Sequence, residues 1–284
     1  NKMSVLSALK PSAIWTHFEE MCAIPHPSKH EDAMRQYVVD FAKKHNLEYE
    51  VDEVGNVVIR KPATKGYEDR KGVILQGHLD MVPQANSDVK HDFIKDPIKP
   101  RIDGEWVKAT GTTLGADNGM GVCAALAVLE ATDLNHGPIE ALFTIDEETG
   151  MTGAFGLKPG YLKGDILMNL DSEDEGELFI GCAGGTNALA EFKYEINPVP
   201  KDSASYKIIV KGLKGGHSGC DIHLYRGNSN KIIFRFLRLA ERSFGMRLAS
   251  VEGGTLRNAI PREAHAIIVV PAGKAKDFES ALKN

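Results

Sequence analysis

Val73-Ile74-Leu75-Gln76-Gly77-His78-Leu79-Asp80 sets a short apolar run directly against a histidine and an aspartate. An unbroken run of this kind reads as a strand buried on both faces, as in parallel sheets. Ile139 to Ile145 and Ile166 to Leu170 share the texture, and Met120 to Glu130, rich in Ala and Leu, reads as a helix between the first two runs. Strands alternating with helices predict an α/β layer, a mostly parallel sheet with flanking helices, whose ligands bind outside the carboxyl ends of the strands.

Upstream, Ser28-Lys29-His30-Glu31 has the form of a capping box, and apolar residues from Ala33 to Ala42 follow at helical spacing as far as Asn46. Leu47 to Val51 and Val57 to Ile59, joined by Gly55-Asn56, predict a hairpin. After the glycine-rich Gly181 to Gly185 the pattern changes. Strand Tyr206 to Lys211, helix Asn228 to Ser243, strands Arg247 to Val251 and Ala264 to Val270, and a helix opening at Asp277 follow in turn. The order β-α-β-β-α matches a smaller α+β, ferredoxin-like sandwich lacking its last strand. We therefore expect one domain over residues 1–185 and a smaller one over 186–284, both incomplete at the C-terminal side, since an unpaired sheet slot is poorly covered.

The 284 residues carry 34 Lys plus Arg against 39 Asp plus Glu, a net charge of -5 with the signs mixed. That balance gives no reason to seek nucleic acid or an anionic lipid surface as partner. No run of about 18 apolar residues offers a membrane span, and the first residues lack the pattern of a signal peptide, so a cytoplasmic location is expected. Cys22, Cys123, Cys182 and Cys220 form no C-x-x-C pair and read as reduced, buried small hydrophobes. Gly119-Met120-Gly121-Val122-Cys123-Ala124 fits a dinucleotide fingerprint only formally, because a polar loop precedes it. Gly216 to Cys220 misses the nucleophile elbow, since Cys220 stands where glycine is needed.

Polar residues gather where the buried runs end. His78 and Asp80 follow the first, Asp146-Glu147-Glu148 the second and Asp171 the third, while Asp117 stands before the Ala-rich helix, where the dipole favours negative charge. Carboxylates crowded on one edge repel unless cations sit among them. Imidazole with carboxylates is a donor set suited to zinc, with manganese or cobalt as alternatives. In an extended segment residues two apart face the same way, so Asp80 can accept the second N–H of His78. Of Glu147 and Glu148, one can reach a metal and the other can serve as general base; spacing leaves open which does which.

His78-Leu79-Asp80, Gly115 to Gly119, Glu147 to Gly150, Asp171-Ser172-Glu173 and Gly215 to Gly219 together resemble the di-zinc peptidase family that includes aminoacylase and carboxypeptidase G. The longer strings Lys61 to Thr64, Thr112 to Gly119, Gly181 to Gly185, Lys211 to Gly219 and Gly253 to Glu263 resemble its dipeptide-cleaving members. The resemblance implies hydrolysis of small dipeptides, Xaa-His (carnosine-like) and broader, by a water activated by two divalent metal ions. It implies that Asp117 bridges the ions, His78 and Asp171 complete one site, Glu148 serves the other, Glu147 is the general base and Asp80 orients His78. It makes residues 1–185 a metal-binding catalytic domain and residues 186–284 a lid, assigns His217, in that lid, and Asn258 to substrate binding, and makes a homodimer compatible with the chain. The family's last ligand, a histidine near the C-terminus, has no counterpart: His223 and His265 fall within lid-like elements. The expected alternatives are a deacylase or carboxypeptidase of the same family, or a catalytically incompetent metal-binding or dimerisation fragment.

Overall fold

A computed structural model describes residues 5–282 apart from Ser7, Glu173, Ala183, Gly185 and Asn187. Glu173 of the Asp171-Ser172-Glu173 motif, and Ala183 and Gly185 of the glycine-rich stretch, thus lie outside the described residues. The chain divides into two units, Asn1–Ala183 and Gly184–Asn284.

In the first unit, helices α1 (Ser12–Cys22) and α2 (Asp32–Lys44) precede a hairpin of β1 (Glu48–Val51) and β2 (Val57–Lys61), then β3 (Val73–His78). A small hairpin of β4 (Pro100–Asp103) and β5 (Trp106–Ala109) leads to α3 (Ala116–Glu130), β6 (Ile139–Thr144), the short α4 (Thr152–Gly156) and β7 (Ile166–Asn169). The main sheet has the order β1-β2-β6-β3-β7. It is parallel across β6-β3-β7 and antiparallel where the first hairpin joins β6. This is the expected mixed α/β architecture.

Alternation along the strands divides their side chains between two faces. Val57, Ile59, Leu75, Ala141 and Phe143 join Phe18, Val38, Val122 and Leu126 of the helices in one core. Val58, Ile74 and Leu142 face the other way, against Leu157, Tyr161 and Leu162. Burial on both faces holds for β6, every residue of which is buried, but not for β7. β7 is an edge strand, and Ile166, Leu167 and Met168 remain 44%, 53% and 48% exposed. An apolar run reveals a strand, not whether a neighbour covers it.

The expected capping box is also absent. Helix α2 forms, yet the Ser28 hydroxyl donates to Asp80 and Glu31 accepts from the amides of Lys29 and Asp146. Cys22 and Cys123 are buried as expected, whereas Cys182 and Cys220 are exposed. Both of these follow or lie within glycine-rich loops, where no core forms around a thiol.

In the second unit, β8 (Ser203–Val210), α5 (Ser229–Phe244), β9 (Arg247–Gly253), β10 (Ala264–Pro271) and α6 (Ala275–Ala281) build an antiparallel sheet of order β8-β10-β9. The central place of β10 is the ferredoxin-like order for three of its four strands. Ile233, Leu237, Ala266, Ile268 and Phe278 form its core. Helix α5 starts where the Asn228 side chain accepts from the Lys231 amide and stops at Gly245, whose φ of 66° lies in the left-handed region. Among the described residues no helix is long and apolar enough to cross a membrane.

Candidate metal centre

Parallel pairing brings the strand ends level. His78 lies opposite Thr144 and Gln76 opposite Asn169, so Asp171, two residues beyond Asn169, falls level with His78. Asp117 arrives from the start of α3, where Gly115 takes a φ of 78° and Asp117 and Asn118 are not yet helical. The chain therefore turns into the site before the helix winds.

His78 is the hub. Its Nε2 lies 3.0 Å from Asp117 Oδ1, 3.7 Å from Asp171 Oδ1 and 3.9 Å from Glu147 Oε2. Among the described residues, two sets of potential ligand atoms gather within 4.8 Å, His78 with Asp117 and Glu148, and His78 with Glu147 and Asp171. His78, Asp117, Glu148 and Asp171, the four expected ligands, thus come together, Glu147, the expected base, falls among the potential ligand atoms with them, and Asp80 supports the imidazole from behind. The Nδ1 of His78 lies 2.9 Å from the carbonyl oxygen of Asp80 and 3.3 Å from its Oδ1. The nearer partner is the carbonyl, so residue 80 holds the ring through its backbone as well as its carboxylate.

The electrostatics are those of a concentrated acidic cluster. Burial pulls the His78 imidazolium down, but Asp117, Asp171 and Asp80 outweigh it and push it up to about 12. Burial raises Asp80, yet its bond to His78 and its other donors bring it down to about 2. Burial, then the Asp117 charge, pushes Glu148 up to about 8, and burial together with Asp171, Asp80 and Asp117 raises Glu147. Such carboxyls favour either a proton or a cation. Imidazole and carboxylate donors this close together fit a divalent ion such as zinc.

Several supporting residues escaped the sequence reading. Asn118 donates from Nδ2 to Asp171 Oδ1 at 2.6 Å and to the Leu170 carbonyl at 2.8 Å, which aims Asp171. Its Oδ1 sits so close to Gly77 and Gly121 that a Cβ on either would overlap it. Buried Asp146 accepts from the hydroxyls of Thr149 and Thr152, bracing the turn that bears Glu147 and Glu148. The run Asp146-Glu147-Glu148-Thr149 was the available signal for that brace; Asn118 offered none beyond its place next to Asp117.

His217 and Asn258 belong to the second unit, where they are neighbours. His217 bridges Ala259, and the Ser218 amide donates to the Asn258 carbonyl at 2.8 Å. His217 Nδ1 accepts from the amides of Gly219 and Cys220, each at 3.0 Å, so the exposed ring carries its proton on Nε2. A cavity of about 410 Å³ opens beside this loop, lined among others by Ser218, Asn230, Thr255 and Arg257.

The model for Peptidase family M20/M25/M40 matches residues 74–240, more than half of the chain and all of the clustered ligands. The chain belongs to the M20/M25/M40 peptidases. The second unit of this M20 peptidase matches a peptidase dimerisation domain over residues 208–284. The chain is 54% identical over 278 residues to the cytosol non-specific dipeptidase of Escherichia coli (strain K12), a match covering 98% of the chain and 57% of that relative. It also resembles the crystal structure of aminoacylhistidine dipeptidase from Vibrio alginolyticus, at 50% identity and a TM-score of 0.63, covering 99% of the chain and 58% of that protein. The fold alone is shared with aminopeptidase PepT from Bacillus cereus, at 20% identity and a TM-score of 0.50, over 95% of this chain and 69% of the other. The chain thus spans a little under three fifths of the dipeptidases it matches.

Proposed function

We propose that this M20 peptidase hydrolyses dipeptides, Xaa-His among them, in the cytoplasm. What supports the reading most is the convergence of His78, Asp117, Glu147, Glu148 and Asp171 at one strand edge, in a chain 54% identical to a cytosol non-specific dipeptidase. His78 and Asp171 would hold one divalent ion and Glu148 a second, with Asp117 between them; zinc suits the donors, and manganese or cobalt are alternatives. When bound, the ions polarise the scissile carbonyl and acidify the attacking water.

The remaining work falls to the chain. Asp80 keeps the His78 ring turned toward its ligand position. Glu147, whose carboxyl burial raises, takes the proton of the attacking water and returns it to the leaving amine. His217 presents Nε2–H, a donor suited to the oxyanion of the tetrahedral species, and Asn258, next to it, holds substrate. The dimerisation-domain match supports a homodimer as the working assembly.

The test is hydrolysis of β-alanyl-histidine and a panel of plain dipeptides against N-acetyl amino acids and longer peptides, with zinc, manganese, cobalt or chelator. Dipeptide cleavage that needs an ion is the expected result. Preference for the acetylated compounds would make the protein a deacylase instead. In Glu147→Gln, ion affinity should stay within about threefold while turnover falls by about 10² to 10⁴; undiminished turnover would remove Glu147 from the chemistry.

A further inference from the structure

The carboxylate of buried Asp80 has four close polar contacts, three of them hydrogen bonds. His78 Nδ1 stands 3.3 Å and the Glu147 amide 3.0 Å from Oδ1; the Glu148 amide stands 3.2 Å and the Ser28 hydroxyl 2.7 Å from Oδ2. Three of the four belong to residues whose side chains form the metal centre. Ser28 alone comes from elsewhere, and its contact is the shortest of the four.

Ser28 sits on the loop between α1 and α2, 52 positions from Asp80. That loop is itself fastened at two points. Pro27 bridges Met81, whose amide donates to the His26 carbonyl at 3.1 Å, so one end is tied to the exit of β3. Glu31, buried, accepts the Asp146 amide at 3.0 Å and the Lys29 amide at 2.8 Å, so the other end is tied to the exit of β6. Residues 26–31 therefore splint together the two strand ends that deliver His78 and the Glu147-Glu148 pair.

We propose that Ser28 is a positioning residue of the metal centre: its hydroxyl fixes the rotation of the Asp80 carboxylate, and through it both the His78 ring and the backbone of Glu147 and Glu148. Without the hydroxyl, Oδ2 keeps one donor at 3.2 Å, and the carboxylate can turn out of the plane that serves His78 and the two amides together. Outer partners of this kind typically change metal affinity or activity by about 10- to 100-fold when removed. The substitution Ser28→Thr retains the donor; Ser28→Ala and Ser28→Val remove it.

The proposal rests on the reading of this centre as a divalent-metal site, and its test separates the two. Zinc affinity of the full chain is measured by competition with a chromophoric chelator for wild type, Ser28→Ala, Ser28→Val and Ser28→Thr. Thermal unfolding of each zinc-free chain is recorded alongside. Ser28→Ala and Ser28→Val should bind zinc about tenfold more weakly and Ser28→Thr within about twofold of wild type, with zinc-free melting temperatures that do not track affinity. In dipeptide hydrolysis the loss should appear in kcat with KM little changed, and the threonine variant should restore it. Zinc affinity unchanged in Ser28→Ala, or lost in step with the melting temperature, or not restored in Ser28→Thr, overturns the role of Ser28. A wild-type chain that binds zinc tightly but cleaves no dipeptide overturns the functional reading and leaves the Ser28 result standing.

Discussion

His78 Nε2 lies 3.0 Å from Asp117 Oδ1, although the two are 39 positions apart and one closes a strand while the other opens a helix. Asp171 stands at 3.7 Å from the same nitrogen. One ring thus faces two carboxylates from different elements, and this concentration of charge governs how the centre responds to pH and to ions.

Ion binding should release protons. With His78 pushed up to about 12 and Glu148 to about 8, both hold a proton at pH 7 in the ion-free chain, and a ligated cation must displace them. Each displaced proton strengthens apparent affinity about tenfold per pH unit below the corresponding pKa. Zinc affinity should therefore rise steadily from about pH 6 to 8, as read by chelator competition; a flat profile would contradict this protonation of the site. Both groups are raised, so the folded ion-free chain holds more protons than the unfolded one, and its stability should fall as pH climbs from about 5 toward 8.

Gly121→Ala should damage the centre without touching a ligand. A Cβ there would lie 2.5 Å from Asn118 Oδ1 and 2.7 Å from the Leu170 carbonyl oxygen, crowding the side chain whose Nδ2 holds Asp171. Overpacking of this kind costs about 1–3 kcal/mol. Urea unfolding should show that loss and zinc titration a weaker site. An unchanged midpoint would mean that the Asn118 side chain moves aside freely.

Phe278→Ala should unfold the second unit selectively. Phe278 is fully buried and its ring meets Tyr206, Phe236 and Phe244 at centroid distances of 4.9, 5.8 and 5.6 Å. Truncation of a buried phenylalanine costs about 3–5 kcal/mol, enough to melt a small unit. Hydrogen exchange should quicken along β8 and β10 while the amides of β3 and β6 keep their protection. Equal loss in both sheets would show that the units fold as one.

Thiol reactivity should divide the four cysteines in half. Burial and the nearby Glu19 charge push Cys22 up to about 12, and burial raises Cys123 as well, so both stay protonated and enclosed at about pH 8. Cys182 and Cys220 are exposed. Disulfide-exchange reagent should titrate two thiols in the native chain and four in denaturant; four fast thiols in the native chain would disprove the burial of Cys22 and Cys123.

Sequence made the runs before His78, Glu147 and Asp171 legible because apolar continuity and a sudden polar end are local properties. The meeting of those ends was legible too, since parallel strands share one carboxyl edge. Partnerships across the chain were not. Ser28 looked like a cap for its own helix because nothing nearby competes for its hydroxyl, whereas the folded chain offers Asp80 at 2.7 Å. The cradle of Gly77 and Gly121 around Asn118 depends on how closely α3 approaches β3, which no spacing encodes. Likewise the exposure of β7 depends on its edge place among the described strands rather than on its own residues.

Strand β6 is held along both margins, antiparallel to β2 and parallel to β3. Sliding it by one residue would carry the turn beyond Thr144 about 3.3 Å along the strand axis and invert its faces. That is longer than any bond between a carboxylate and a zinc ion. Cation uptake is therefore a gauge of correct pairing: a chain whose strands have settled one step out of line cannot load, whatever its helical content.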